Sequence, residues 1–173
     1  MLTIVTELRY SGFDEGGHRT ANCSVAPVEP EISVVVTLFN EQRTVEELAR
    51  RTVASLDGEA FELLFVDDGS TDGTWAEVER AHGADGRVHG VRLKRNFGQH
   101  PAMHAGLVRA RGDILVTMDG DLQNAPEEIP KLVAAVRDGA DVASGRREVR
   151  RDSWGRTLPS RLVNGMLRRF TGA

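Results

Sequence analysis

Five short apolar runs, each ending near acids, glycine or asparagine and separated by stretches of helical periodicity, constrain this chain more than any other feature. Ile32-Ser33-Val34-Val35-Val36-Thr37 is a β-branched run, followed by Val45, Leu48, Ala49, Val53 and Leu56 at helical spacing. Phe61 to Val66 predicts a second strand, with a helix from about Asp72 to Ala81 after it. Val88 to Leu93 predicts a third strand, Pro101 to Ala110 a helix, and Asp113 to Met118 a fourth strand. Glu127 to Arg137 reads as a helix with Pro126 at its start, where a missing N–H costs nothing. Asp141 to Ser144 reads as a short fifth strand. Strands alternating with helices of this length predict an α/β fold, a mainly parallel sheet with helices on both faces.

In such sheets ligands bind outside the carboxyl ends of the strands. Here Phe39-Asn40-Glu41, Asp67-Asp68 and Asp119-Gly120-Asp121 all follow strands, so one edge of the sheet collects the polar groups. Asp119 and Asp121 are the most pointed of these. Two carboxylates at the end of a buried strand are costly unless something positive lies between them. Few carboxylates and open positions are how Mg²⁺ or Mn²⁺ usually meets substrate phosphates. A turn at a strand end is the plainer reading of the same triplet, since Asp and Gly are ordinary turn residues. The shared edge is what favours chemistry.

Other constellations carry less. Asp68-x-Ser70-x-Asp72-Gly73 with Glu79 nearly spells a calcium-binding EF-hand loop, but a strand rather than a helix precedes it. Ser70 or Asp72 capping the next helix explains the same residues. His100 and His104 have zinc spacing without a third ligand, and a capping His100 is the simpler reading. Asp119-x-Asp121 after an apolar strand also resembles haloacid-dehalogenase-type phosphatases, although Gln123 stands where that pattern has Thr or Val, and three strands precede it. Arg95-Asn96-Phe97-Gly98-Gln99 could reach a phosphate or a base.

The chain's 173 residues suit one domain. Residues 1–30 are expected to be a mobile leader, 31–146 the folded domain, and 147–173 a basic loop and amphipathic helix. A lone Cys23 excludes a disulfide framework, no apolar run has the length of a membrane span, and the start lacks a signal-peptide pattern, so the expected compartment is the cytoplasm. The net charge of −4 hides an asymmetry. Between Arg146 and Arg169 eight arginines face Glu148 and Asp152, a +6 segment on a remainder of −10. That implies an anionic partner such as phosphate groups or a lipid surface rather than nucleic acid. Leu158, Leu162, Val163, Met166, Leu167 and Phe170 form an apolar helical stripe with Arg161, Arg168 and Arg169 opposite, suited to a membrane surface or to packing on the domain.

Taken together, Phe65 to Thr74, Arg95 to His100 and Met118 to Asn124 resemble the family-2 glycosyltransferases of GT-A fold, and among them the polyprenyl-phosphate glycosyltransferases. Asn124-Ala125-Pro126-Glu127-Glu128-Ile129-Pro130 and Arg151-Asp152-Ser153-Trp154 add to the likeness, which covers about residues 31–172. The resemblance implies a nucleotide-sugar donor, a polyprenyl-phosphate acceptor, Mg²⁺ or Mn²⁺ as cofactor, and a peripheral place at the inner face of the cell membrane. Asp67 would contact the base, framed by Phe39 and Glu41. Asp119 would meet the ribose or metal side, Asp121 the metal bridging the diphosphate, and Gln123 the sugar or acceptor phosphate. Arg146, with Arg151 and Arg156, would hold donor or acceptor phosphates. The chain departs from the family at Thr37, generally Pro, and at Gly120, often Ala. Family members continue with further sheet elements, an acceptor-side arginine and commonly membrane helices, so the expected fold is one cut short after the fifth strand and an amphipathic helix. The implied chemistry is an inverting transfer; a donor-binding unit without turnover is the alternative.

Overall fold

In the computed structural model, which describes residues 3–6 and 29–145, the β-branched runs are strands of one six-stranded sheet. In chain order the elements are β1 (Thr3–Thr6), β2 (Ile32–Leu38), α1 (Val45–Ser55), β3 (Phe61–Asp67), α2 (Thr74–Ala84), β4 (Val88–Arg92), α3 (Gln99–Leu107), β5 (Ile114–Asp119), α4 (Ile129–Arg137) and β6 (Val142–Ser144). A single 3₁₀ turn, Pro126–Glu128, leads into α4 and begins with the proline expected at a helix start. The sheet order is β4-β3-β2-β5-β1-β6, and β4, β3, β2 and β5 run parallel.

Thr3–Thr6 corrects the expectation of a leader over residues 1–30. This segment is a strand between β5 and β6, antiparallel to both, and β6 joins the sheet through it. Its partners lie at Ile114–Thr117 and Val142–Ser144, so its β-branched run Thr3-Ile4-Val5-Thr6 joins the sheet far from its neighbours in sequence. The basic segment 147–173 lies outside the described residues.

Both faces are covered, unevenly. Ile32, Val34, Val36 and Leu38 of β2, with Phe61, Leu63 and Phe65 of β3 and Ile114, Val116 and Met118 of β5, pack under α1, α2 and α4. Val35, Leu64 and Val66 face the other way, against Ala102 of α3. Strands buried on both faces cannot alternate polar and apolar, which is why these runs read as nearly continuous. Each fully buried Val, Leu or Phe contributes about 1.5–3 kcal/mol.

The chain moves outward from β2 to β3 and β4, then α3 crosses the opposite face and delivers β5 to the other side of β2. The order therefore reverses between β2 and β5. Glu62, buried at the start of β3, anchors the return. It accepts Ser33 Oγ at 2.7 Å, Arg111 N at 2.8 Å, and Arg111 Nε and Nη2 at 2.9 and 2.7 Å. Those bonds tie the turn before β5 to the amino-terminal ends of β2 and β3.

Candidate functional site

A reversal of strand order leaves a crevice at the carboxyl ends of the strands that flank it. The register brings these ends level, with Leu38 opposite Asp67 and Thr37 opposite Asp119. There a cleft of about 390 Å³ is lined by Thr37, Leu38, Phe39, Glu41, Asp68, Asn96, Gly98, Gln99, Asp119, Gly120 and Asp121. A hollow of about 700 Å³ between α1 and α2 is larger, but it lies away from the carboxyl ends of the strands, and its two arginines, Arg50 and Arg80, are paired with Glu47 and Glu77.

Hydrogen bonds fix the walls. Asn40, in the left-handed region at φ 57°, donates its N–H to Ser70 Oγ at 2.9 Å and accepts Thr71 N on Oδ1 at 2.9 Å. Asparagine tolerates that backbone better than most residues. Glu41 N donates to Thr74 Oγ1, and Gln42 N to Asp72 Oδ2, so the loops after β2 and β3 are laced together. Asp72 also accepts Thr74 N at 3.0 Å, which starts α2 at Thr74 rather than at Asp72. Ser70 serves the neighbouring loop instead of capping the helix.

Asp68 and Asp67 divide their roles in a way the sequence did not show. Asp68, 3% exposed, accepts Phe97 N and Gly98 N at 2.8 Å each and faces the cleft. This holds the loop that opens α3, so the helix begins at Gln99, and His100 sits inside its first turn rather than at the cap. Asp67, fully buried, accepts Ser70 N on Oδ1, while its Oδ2 lies 3.6 Å from Arg92 Nε with no hydrogen-bond partner. Arg92 in turn lies over the Trp75 ring, 5.5 Å from its centroid. Asp67 is therefore turned into the fold and is not among the residues lining the cleft. Gly69, at φ 70°, lets these loops meet: a Cβ there would lie 2.3 Å from the carbonyl carbon of Arg95.

At the other wall, Asp119 Oδ1 accepts Gln99 Nε2 at 2.5 Å. Asp121 is exposed, and its Oδ1 accepts Gln123 N at 3.0 Å, a tight turn helped by Leu122 at φ 56°. A Cβ on Gly120 would lie 2.5 Å from Leu38 Cδ2 and 2.8 Å from Thr37 O, which accounts for glycine where the related pattern often has alanine. The 3₁₀ turn beyond is clamped to α1 by Arg51, whose Nε and Nη2 bond Glu127 at 2.7 and 2.6 Å. That guanidinium holds the Glu127 carboxyl at about 2, well below the ordinary carboxylate range.

Of the residues singled out from sequence, Phe39, Glu41, Asp119 and Asp121 share the cleft, whereas Asp67 and Gln123 do not line it. Arg146, Arg151 and Arg156 lie outside the described residues. Asp68 and Gln99 join them; the sequence points to the first only as one of a strand-end acid pair and to the second only as the end of a loop able to reach a phosphate or a base.

Among the described residues no cluster of three His, Cys, Asp or Glu side chains makes a closed metal site. The donor set nevertheless fits Mg²⁺ or Mn²⁺, which commonly take one or two carboxylates and complete their shell with water and substrate phosphates. Glu41, Asp68, Asp119 and Asp121 line the cleft together.

A family profile described as Glycosyl transferase family 2 matches residues 33–172. The undecaprenyl-phosphate 4-deoxy-4-formamido-L-arabinose transferase of Edwardsiella ictaluri (strain 93-146) is 48% identical over 145 residues, 82% of this chain and 44% of that protein. The chain thus spans under half the length of this curated relative. S. aureus TarS 1-349 in complex with UDP superposes with a TM-score of 0.54 at 26% identity, over 62% of this chain and 32% of that one. The mannosyltransferase PcManGT from Pyrobaculum calidifontis, in complex with GDP-Man and Mn²⁺, gives 0.54 at 28% identity, over 66% and 35%.

Proposed function

Because this chain belongs to glycosyl transferase family 2, we propose that its strand-end cleft takes a nucleotide-sugar and that the sugar passes to a polyprenyl phosphate. The observation that carries the proposal is the gathering of Phe39, Glu41, Asp68, Asp119 and Asp121 around one cleft at the reversal of strand order. The UDP and GDP-Man complexes of the two structural relatives support a nucleotide in the same fold, and Mn²⁺ in one of them supports a divalent ion. The relative's name supports the acceptor.

Asp119 and Asp121 would hold the divalent ion, Mg²⁺ or Mn²⁺, which when bound neutralises the diphosphate and stabilises the charge of the leaving nucleotide. Base contact, expected at Asp67, is assigned here to Asp68, with Phe39 and Glu41 beside it. Its oxygens already accept Phe97 and Gly98, so the carboxylate is held rigid toward the cleft. Gln123 stays assigned to the sugar or the acceptor phosphate, and Arg146, Arg151 and Arg156 to donor or acceptor phosphates. Most glycosyl acceptors are alcohols and need a general base. A phosphomonoester with a second pKa of about 6 is already largely dianionic at neutral pH and needs none. One in-line attack on the anomeric carbon inverts its configuration. The place of action would be the inner face of the cell membrane, reached through the basic segment; no helix among the described residues is long and apolar enough to cross a membrane.

The second reading is a unit that binds donor without turnover. Incubating the chain with UDP- or GDP-sugar, Mn²⁺ and a polyprenyl phosphate separates the two. Glycolipid product establishes transfer, and nucleotide binding without product establishes the donor-binding unit. Phosphate release from simple phosphomonoesters, with no nucleotide binding, overturns both in favour of a phosphatase.

A further inference from the structure

The Arg95–Gln99 loop bridges the two acidic walls of the cleft. Its backbone is gripped at one end by Asp68 through Phe97 N and Gly98 N. It is pressed against Gly69, where a Cβ would meet the backbone of Arg95 and Asn96. One residue past the grip, Gln99 opens α3 and donates its amide to Asp119 Oδ1 on β5. The arc Asp68–Gly98–Gln99–Asp119 therefore joins the ends of β3 and β5 around the cleft.

We propose that Gln99 is a positioning residue for Asp119, presenting its carboxylate to the divalent ion, and that Asp68 is the anchor that fixes Gln99. The inference rests on the donor-site reading above. A ligating carboxylate held by an outer hydrogen bond keeps one orientation and is spared the cost of ordering when the ion arrives. A neutral amide does this without the competing charge a lysine would bring beside the cation. Outer partners of this kind typically alter metal affinity by about 10–100-fold. Gln99 is exposed at a helix start, so replacing it leaves the core untouched.

The test is calorimetric binding of UDP, with GDP in parallel, across a Mn²⁺ series and in EDTA. Gln99→Met keeps the length and removes the donor. The expected result is about tenfold more Mn²⁺ for half-maximal binding, with nucleotide affinity in EDTA and the melting temperature unchanged. Gln99→Ala, with the same outcome, guards against an effect peculiar to the thioether. A Mn²⁺ titration equal to that of the unaltered chain overturns the inference and leaves the donor site standing. An equal loss in EDTA makes Gln99 a nucleotide contact or a structural residue, and also overturns it. If the unaltered chain binds neither nucleotide at any Mn²⁺ concentration, the donor-site reading falls and the positioning role falls with it.

Discussion

Replacing Glu62 by Gln should destabilise the fold while leaving nucleotide binding intact. Glu62 is 2% exposed and accepts bonds from Ser33, from Arg111 N and from two guanidinium nitrogens. Breaking a fully buried charge pair costs about 3–5 kcal/mol. Two features lower that here. The Arg111 side chain is 48% exposed and can rehydrate, and Ser33 Oγ keeps Gly112 N at 2.8 Å and Arg111 N at 3.2 Å. A loss of about 2–3 kcal/mol is expected, or roughly 4–12 °C in melting temperature at 2–4 °C per kcal/mol for a domain of this size. Burial pushes the Glu62 carboxyl up, but the bonds from Ser33 and Arg111 outweigh it and the pKa falls below the ordinary 4.5. A depressed carboxylate stabilises above its unfolded pKa, and that contribution disappears as pH falls through its folded value. The gap between the native chain and Glu62→Gln should therefore be full at pH 7 and narrow below pH 4.5. Thermal melting at both pH values, with UDP titration beside it, is the assay. A variant that melts with the native chain at pH 7, or loses nucleotide affinity while keeping its melting point, would refute the reasoning.

Asp121→Asn should abolish Mn²⁺-dependent UDP binding by calorimetry without altering the melting curve, since the carboxylate is exposed and its turn acceptor survives as an amide oxygen. Gly120→Ala should cost about 1–3 kcal/mol in thermal melting, because the new Cβ meets Leu38 and the Thr37 carbonyl, and should weaken UDP binding as β5 shifts. Replacing Arg161, Arg168 and Arg169 by Gln should reduce sedimentation with phosphatidylglycerol vesicles and leave UDP binding unchanged, each arginine being worth about 1 kcal/mol near an anionic surface. Equal sedimentation with neutral vesicles would remove the membrane reading.

The central strands were legible because burial on both faces demands apolar, β-branched runs, and Ile32–Leu38 and Phe61–Asp67 differ from expectation by one residue at their ends. Helix starts were less legible. Pro101 marks a start by its missing N–H, yet α3 begins at Gln99 because Asp68, distant in sequence, satisfies the loop before it. Asp67 and Asp68 posed the hardest choice. Adjacent residues at a strand end point in different directions, and composition cannot say which meets the cleft. The decision depends on Ser70 and Arg92 claiming Asp67. Thr3-Ile4-Val5-Thr6 is wholly β-branched, yet at four residues it is short and stands apart from the strand–helix alternation, so its place between β5 and β6 is shown only by the pairing.

The crossing of α3 to the far side of β2 also sets an order of events during synthesis. A nascent chain that has reached β4 can already pair β2, β3 and β4 through their own crossovers, but it has no cleft, because Asp119 and Asp121 arrive with β5. The cleft thus forms only once β5 is in place, and it straddles the seam between β2–β4 and β5. A nucleotide held there, as proposed, would act as a clasp on that seam, at a hundred times its Kd adding about 2.7 kcal/mol against unfolding. Protection from proteolysis on adding UDP and Mn²⁺ should accordingly extend to the β5 side of the sheet, far beyond the residues that touch the ligand.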